Sequence, residues 1–203
     1  MSENRTLFQV ERLAFFSDAV IAIAITLLTL EVKIPEFKIA PSHEEIIELI
    51  TQFIALAVCF ITIGDLWMKH HKLFEHVTHI NNRVIKINLV FLFSIIILPL
   101  NSSFLYKDIG YMRVVTFFSN LLICSFFFYI LIGAIAGKGH HLMSEQSKAV
   151  IRKLKTNSLI NSIIFLLVCL IGFISYRYYY LPFVIWPIFW IAKRSGKKKE
   201  ISN

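Results

Sequence analysis

Charged side chains are scarce in this sequence. Asp, Glu, Lys and Arg make up only 17% of its 203 residues, whereas hydrophobic residues make up 57%. A soluble domain needs far more polar surface than this, so the composition excludes an ordinary soluble protein and indicates an integral membrane protein. Because the first apolar run is full length and has no small-residue cleavage site, we expect no cleaved signal peptide.

Cysteine is rare as well. Cys59, Cys124 and Cys169 lie inside apolar runs with no pairing or metal-ligand spacing, so we expect reduced residues in the core or facing lipid. The sequence also contains no G-x-S-x-G or H-E-x-x-H motif and no paired aspartates within an apolar run. We therefore predict that the protein is not an enzyme and binds no cofactor.

The histidines raise the question of a metal site. His70, His71, His76 and His79 follow the second apolar run, and Glu75 lies among them. No further cysteine or carboxylate completes a tetrahedral set at the spacing that zinc sites use. We predict histidines at an interface between helices, and no bound metal.

Six apolar runs predict an all-α integral membrane protein with six transmembrane helices, because each is close to the ~20 residues that cross a bilayer. The predicted spans are 13–34, 46–68, 84–105, 111–136, 158–175 and 178–192. Pro182 and Pro187 make the sixth span short and bent. The connections leave no room for a soluble domain, so residues 1–203 are predicted to form a single six-helix domain.

The basic residues predict the orientation in the membrane. Sixteen of the 21 Lys and Arg residues fall before the first span, in the 69–86 and 138–155 loops, and in the tail from Lys193. Lys and Arg collect on the cytoplasmic side of membrane proteins, so we expect a plasma-membrane protein with both termini in the cytoplasm. Because this charge lies in short loops beside apolar runs, it indicates topology and not nucleic-acid binding.

The first span carries an acidic residue inside an apolar helix. Ser17 and Asp18 lie about one turn inside a stretch that is otherwise suited to lipid. An ionisable group in a membrane helix is costly and by default marks a functional or architectural site. Asp18 therefore needs a partner within the protein.

The opposite face of this helix is apolar and branched. At roughly 100° per residue, the residues within roughly 60° of Ile23 are Phe16, Thr26, Leu27 and Leu30, whereas Asp18 points away from them. Periodicity alone favours lipid contact or helix packing for such a face.

Donor side chains occur at the depth of Asp18 in the next two spans. They are Trp67, His70, His71 and Asn88. Indole, imidazole and amide groups are suitable partners for a carboxylate that points inward. Our hypothesis is a polar network that clamps the first helix to the second and third. The alternative is that Trp67 is an interfacial belt residue and the histidines are hydrated.

The pattern Arg12-x-x-x-Phe16-Ser17-Asp18, continued by the stretch from Ile23 to Glu31, resembles the signature of the transmembrane protein 175 family of potassium channels. The ending of the second span and the Asn and Pro of the third extend the resemblance over residues 12–99. It implies a pore lined by the first helix. Because the motif occurs once, the resemblance implies a homotetramer of the prokaryotic type, embedded in a lipid bilayer, with potassium as the permeant ion.

The resemblance also implies roles for individual residues. It places the pore constriction at Ile23 and gives Thr26, Leu27 and Leu30 a share of the pore wall. A ring of isoleucines can gate by dewetting, and the sequence has no T-V-G-Y-G carbonyl filter. Thr26 is the one hydroxyl near the constriction and so the candidate for discriminating potassium from sodium. Arg12 is a motif residue that could line the cytoplasmic mouth, reach lipid phosphates, or pair with Glu11 or Asp65.

Two other functional classes remain open. A proton-coupled secondary transporter of cations or small molecules would use Asp18 as its carboxylate. Against it, Asp18 lies near one interface and no clear inverted repeat is present. A structural membrane protein, or a subunit of a larger complex, would use the Ile23 face for partner helices.

Overall fold

The computed structural model describes residues 2–34, 42–106, 112–137 and 145–174. These residues form five α-helices: α1 (Ser2–Leu27), α2 (His43–Phe74), α3 (Asn82–Tyr106), α4 (Met112–Ile135) and α5 (Glu145–Ile174). A 3-10 turn at Leu28–Glu31 extends α1. The predicted sixth span, 178–192, lies outside the described residues.

All five helices are long and apolar enough to cross a membrane. The candidate membrane-crossing stretches are Phe8–Glu31, His43–Phe74, Asn82–Leu105, Val115–Ile135 and Ser147–Phe173. They overlap the first five spans predicted from the sequence. The prediction of an all-α membrane protein is confirmed for this part of the chain.

The helices extend further than the predicted spans. Residues 145–155 were expected in a loop because of their charge, but α5 already begins at Glu145. Within this segment Ile151 is only 2% exposed, whereas Arg152 and Lys153 are exposed, so the charged residues lie on the outer face of a helix. The 30 residues of α5 span ~45 Å, which exceeds the ~30 Å hydrocarbon core of a bilayer. Its first turns therefore extend beyond the hydrocarbon region.

Helix α2 begins early because its sequence provides a capping box. The Glu45 backbone N–H donates to Ser42 Oγ at 3.2 Å, and the Ser42 backbone N–H donates to Glu45 Oε2 at 2.7 Å. These two bonds satisfy donors that the first helical turn leaves without an intrahelical partner. The cap starts the helix at His43, ahead of the first apolar residue.

Helix α1 packs against α2 and α3 through one stripe of buried side chains. The stripe recurs every three or four residues and consists of Val10, Leu13, Ser17, Ile21, Ala24 and Leu28. Helix α4 contacts α3 and α5, and aromatic rings fill the space between these helices. Phe91 and Phe128 lie 5.3 Å apart between ring centroids, and Phe118 and Phe165 lie 5.9 Å apart.

The small side chain of Ala24 lets α1 approach its neighbours, since it is fully buried at 0% exposure. We expect Ala24→Leu to overpack this contact and to destabilise the subunit by about 1–3 kcal/mol. The measurement is the thermal unfolding midpoint of the purified protein in detergent. Ala57→Leu, the same change at an exposed position of α2, is the control. Equal midpoints for the two variants would contradict the packing described here.

Candidate functional site

A buried chain of hydrogen bonds joins α1, α2 and α3 at one end of the bundle. Asn88 Nδ2 donates to Ser17 Oγ at 2.9 Å, and Asn88 Oδ1 lies 2.9 Å from His70 Nε2. Ser17 and Asn88 are 0% exposed and His70 is 1% exposed. Each helix contributes one residue, so these bonds define how the three helices are rotated against one another.

The direction of each hydrogen bond in this buried network follows from the number of protons that each side chain carries. Ser17 Oγ gives its single proton to the backbone oxygen of Leu13 at 2.8 Å, so it must accept from the amide nitrogen of Asn88. The amide oxygen of Asn88 then faces His70 and can only accept. His70 Nε2 is therefore the protonated ring nitrogen.

Two aromatic rings hold the His70 imidazole in place. Its ring lies 4.4 Å from Phe74 and 5.7 Å from Phe91 between centroids, stacked at interplanar angles of 26° and 7°. The imidazole is thus fixed both by its plane and by its hydrogen bond. A rigid donor of this kind orients Asn88, which in turn holds Ser17.

A second connection lies at the edge of the bundle. Trp67 Nε1 donates to Asp18 Oδ1 at 2.8 Å, and the indole stacks on His71 with centroids 5.5 Å apart. Trp67 is 38% exposed in the single subunit, so this bond is less buried than the Ser17 bond. Ser17 takes the deepest position because it belongs to the buried stripe, whereas Asp18 lies one residue, or roughly 100°, further around the helix.

The structure thus brings together most of the residues predicted for the network. Ser17, Asp18, Trp67, His70 and Asn88 are joined by side-chain hydrogen bonds, and His71 touches Trp67. The two remaining motif residues lie elsewhere: they are Arg12 and Phe16. Phe16 is 49% exposed, and the Arg12 guanidinium lies 5.7 Å from the centroid of the Phe8 ring.

Asp65, one of the partners considered for Arg12, instead forms an ion pair with a residue of its own helix. Lys69 Nζ lies 2.5 Å from Asp65 Oδ2. Arg12 therefore contacts the Phe8 ring and does not pair with the Asp65 carboxylate.

The Ile23 face of α1 is bare in the single subunit. Ile23 is 59% exposed, Leu27 37% and Leu30 76%, and Thr26 is also exposed. Leu30 belongs to the 3-10 turn, where each residue advances by ~120°, so it lies above Leu27 on nearly the same line. The row predicted from the sequence thus shares one exposed side of the helix.

The hydroxyl of Thr26 is bonded within the helix. Thr26 Oγ1 donates to the backbone oxygen of Ile23 at 2.8 Å, and Thr29 Oγ1 donates to that of Thr26 at 2.8 Å. Because each hydroxyl has only one proton, what it can offer outward is an oxygen lone pair. Thr26 therefore presents an acceptor, which suits a cation and not an anion.

Gln52 is a buried polar residue that the sequence analysis missed. It is 3% exposed, and its Oε1 accepts from the backbone N–H of Lys33 at 2.6 Å. This bond ties the segment after the 3-10 turn to α2, far along α1 from Ser17. The sequence feature that could have revealed Gln52 is an amide side chain inside the second apolar run.

The clustered histidines have separate partners. His71 Nε2 lies 3.2 Å from Glu75 Oε1, and His76 Nδ1 lies 3.3 Å from Ser147 Oγ on α5. Within residues 2–34, 42–106, 112–137 and 145–174, no group of three or more His, Cys, Asp or Glu side chains is arranged to hold a metal ion. Cys59, Cys124 and Cys169 are free and buried.

These features define an all-α membrane protein whose first helix is held by polar bonds on one face and exposed on the other. Comparison with known proteins shows which family the chain resembles. The family model described as "Endosomal/lysosomal potassium channel TMEM175" matches residues 12–99. The matched segment runs from Arg12 to Pro99, and the resemblance to this family is confirmed.

Individual relatives agree with this result. The chain is 29% identical over 181 residues to a protein of Chryseobacterium sp. (strain P1-3) named as a potassium channel, covering 87% of this chain and 92% of that one. It is 32% identical over 97 residues to a potassium channel of Chamaesiphon minutus, covering 46% and 48%.

Solved structures share the fold. A crystal structure described as a lysosomal potassium-selective channel TMEM175 homolog from Chamaesiphon minutus aligns with a TM-score of 0.77 at 21% identity, over 91% of this chain and 97% of that one. The crystal structure of the potassium channel MtTMEM175 aligns with a TM-score of 0.64 at 19% identity, over 92% and 93%. The likeness in fold thus extends well beyond residues 12–99.

The buried network predicts a sharp cost for losing Asn88. Asn88→Ala leaves the buried N–H of His70 without its acceptor, at about 1–3 kcal/mol for a buried unsatisfied group, and also removes the bond that Ser17 Oγ accepts. We expect a clear drop in the thermal unfolding midpoint of the purified protein. Asn101→Ala, the same change at a half-exposed position of the same helix, is the control. A midpoint for Asn88→Ala as high as that of the control would argue against the network.

Proposed function

We propose that the chain is one subunit of a potassium-selective channel of the plasma membrane. Four copies would assemble around an axis, with α1 of each copy lining the pore and both termini in the cytoplasm. The observation that carries this proposal is the pair of opposite faces on α1. One face is bonded into the subunit, and the other presents Ile23, Thr26, Leu27 and Leu30 without a partner helix among the described residues.

The direction in which Ile23 points is a consequence of the packing of α1. Ile21 is 1% exposed and Ala24 is 0% exposed, so this side of the helix faces α2 and α3. Ile23 lies roughly 200° around the helix from Ile21. The bond from Asn88 to Ser17, near the middle of α1, and the bond from Lys33 to Gln52, just after the 3-10 turn, hold this rotation at two separate points. The bare row is thus available to other copies of the chain.

The relatives supply the class of ion. The curated relatives from Chryseobacterium, Chamaesiphon and Streptomyces are all named as potassium channels, and the family model carries the same description. None of these names denotes an enzyme. A channel that selects potassium is therefore the function we assign to this chain.

The proposed constriction is a ring of four Ile23 side chains. A narrow apolar ring excludes water and so raises the free energy of an ion that must pass through it. One turn further along, four Thr26 oxygens would offer acceptor lone pairs to an ion that has shed part of its hydration shell. Selection would then depend on side chains and not on a ring of backbone carbonyls.

A proton-coupled transporter built on Asp18 is the alternative. Asp18 already accepts the Trp67 indole proton in a bond between α1 and α2. This contact gives the carboxylate an architectural role, which favours the channel over a transporter that must release and rebind a proton at this residue.

Truncating the proposed constriction tests the channel directly. We expect Ile23→Ala to increase potassium flux through purified protein in liposomes, because a wider and less apolar ring dewets less readily. Ile54→Ala on α2 is a matched control, since Ile23 and Ile54 are both 59% exposed. Equal effects of the two variants would place the constriction elsewhere.

Removing the Thr26 hydroxyl tests selectivity separately. We expect Thr26→Ala to lower the ratio of potassium to sodium permeability severalfold, while the protein stays assembled, because the hydroxyl bonds only within its own helix. Thr51→Ala is the control: its hydroxyl donates in the same way to the backbone oxygen of Ile47, but on α2. An unchanged permeability ratio in Thr26→Ala would contradict the assignment.

A further inference from the structure

One face of α5 changes from basic to apolar along its length. Successive residues at spacings of three or four lie within roughly 80° of one another on a helix. We call this row the α5 lane; it consists of Arg152, Lys155, Leu159, Ile163, Leu166, Leu170 and Phe173. Its apolar members are between 43% and 64% exposed. The α5 lane thus begins with two basic residues and continues as a longer apolar surface.

Lys155 lies at the junction between the two parts. Its Nζ is 5.2 Å from the centroid of the Tyr129 ring on α4. A Cβ atom added at Gly133 would lie 3.7 Å from this Nζ, so the Lys155 side chain rests on the part of α4 that has no side chain. An ammonium group seated on an aromatic ring and a glycine is held in place without being neutralised.

In the part of the chain that the structure describes, no carboxylate forms an ion pair with Arg152 or Lys155. Among the described residues the ion pairs are Lys69 with Asp65 and His71 with Glu75, and neither involves Arg152 or Lys155. Helix α5 is ~15 Å longer than a hydrocarbon core, and we place this excess at its charged end, where Arg152 and Lys155 lie. This is the depth at which lipid phosphates lie, on the side predicted to be cytoplasmic.

From these observations we propose that the lane, together with Tyr129 and Gly133, binds an anionic phospholipid. Arg152 and Lys155 would bind the phosphate and any further negative group of the head, and guanidinium is well suited to bidentate phosphate contacts. One acyl chain would lie along the apolar part, which rises by ~21 Å from Leu159 to Phe173, compared with ~15 Å for half of a hydrocarbon core. This inference is independent of the proposed channel function.

The first test is a lipid titration of the full-length protein in detergent. We expect dioleoyl phosphatidylglycerol to raise the thermal unfolding midpoint more than dioleoyl phosphatidylcholine does. The double variant Arg152→Gln with Lys155→Gln should lose most of this difference. The control Lys153→Gln with Lys72→Gln removes the same charge from exposed positions outside the lane and should keep it. An unchanged preference for phosphatidylglycerol in the lane variant would overturn the proposal.

Native mass spectrometry of the same proteins provides a count that does not depend on stability. We expect the lane variant to retain about one phosphatidylglycerol fewer per subunit than the control variant. Equal numbers of retained lipids in the two variants would overturn the proposal.

Two further measurements distinguish a bound lipid from two other occupants of this surface, a free anion and a second copy of the chain. Inorganic phosphate should not reproduce the stabilisation, and if it did, the site would be one for a free anion. A photoreactive residue introduced at position 163 should not cross-link to a second copy of the chain on irradiation, with the natural protein as the background. Efficient cross-linking would make the lane an interface between subunits and would overturn the lipid assignment.

Discussion

The hydrogen bond from Asn88 Nδ2 to Ser17 Oγ determines which face of α1 belongs to the subunit and which does not. Packing of Leu, Ile and Ala side chains in lipid provides little preference for one rotation of a helix over another, because lipid tails are as apolar as the side chains themselves. A buried hydrogen-bond donor and acceptor do favour one rotation, since turning α1 would separate the two groups in an apolar interior. The orientation of Ile23 follows from this constraint.

The constraint acts at two separate points along the first helix and its extension. Near the middle of α1, Ser17 and Asp18 are held by α3 and α2, through Asn88 and Trp67 respectively. After the 3-10 turn, the Lys33 backbone N–H donates to Gln52 on α2. A helix held in this way can present a row of side chains in a constant direction. A pore built from several copies requires this, because small rotations of each α1 would remove its ring of side chains from the axis.

The depth of the network could be predicted from the sequence, but its pairing could not. Span ends place Trp67, His70, Asn88 and Asp18 near one membrane face, and the cost of an intramembrane carboxylate requires a partner. Which donor meets which acceptor depends on the relative rotation of three helices. The cost of a carboxylate singles out Asp18, whereas its neighbour Ser17 is the network residue of α1 that is fully buried.

Two other features were missed for physical reasons. Gln52 lies within an apolar run, where a single amide barely changes the hydropathy of the span. The start of α5 was interpreted as a loop because Lys148, Arg152 and Lys155 make it polar. Their spacing of three and four residues is in fact helical, with Ile151 turned inward.

The most direct test of the central claim, that the bare face of α1 lines an ion pathway, is the accessibility of a single introduced thiol. The protein would carry Ile23→Cys or, for comparison, Ile54→Cys, and potassium flux in liposomes would be followed before and after a charged, membrane-impermeant thiol reagent. The natural cysteines are buried and serve as the common background. Our account predicts that the reagent inhibits flux through Ile23→Cys and leaves Ile54→Cys unaffected. Flux that responds equally in both variants, or in neither, would contradict it.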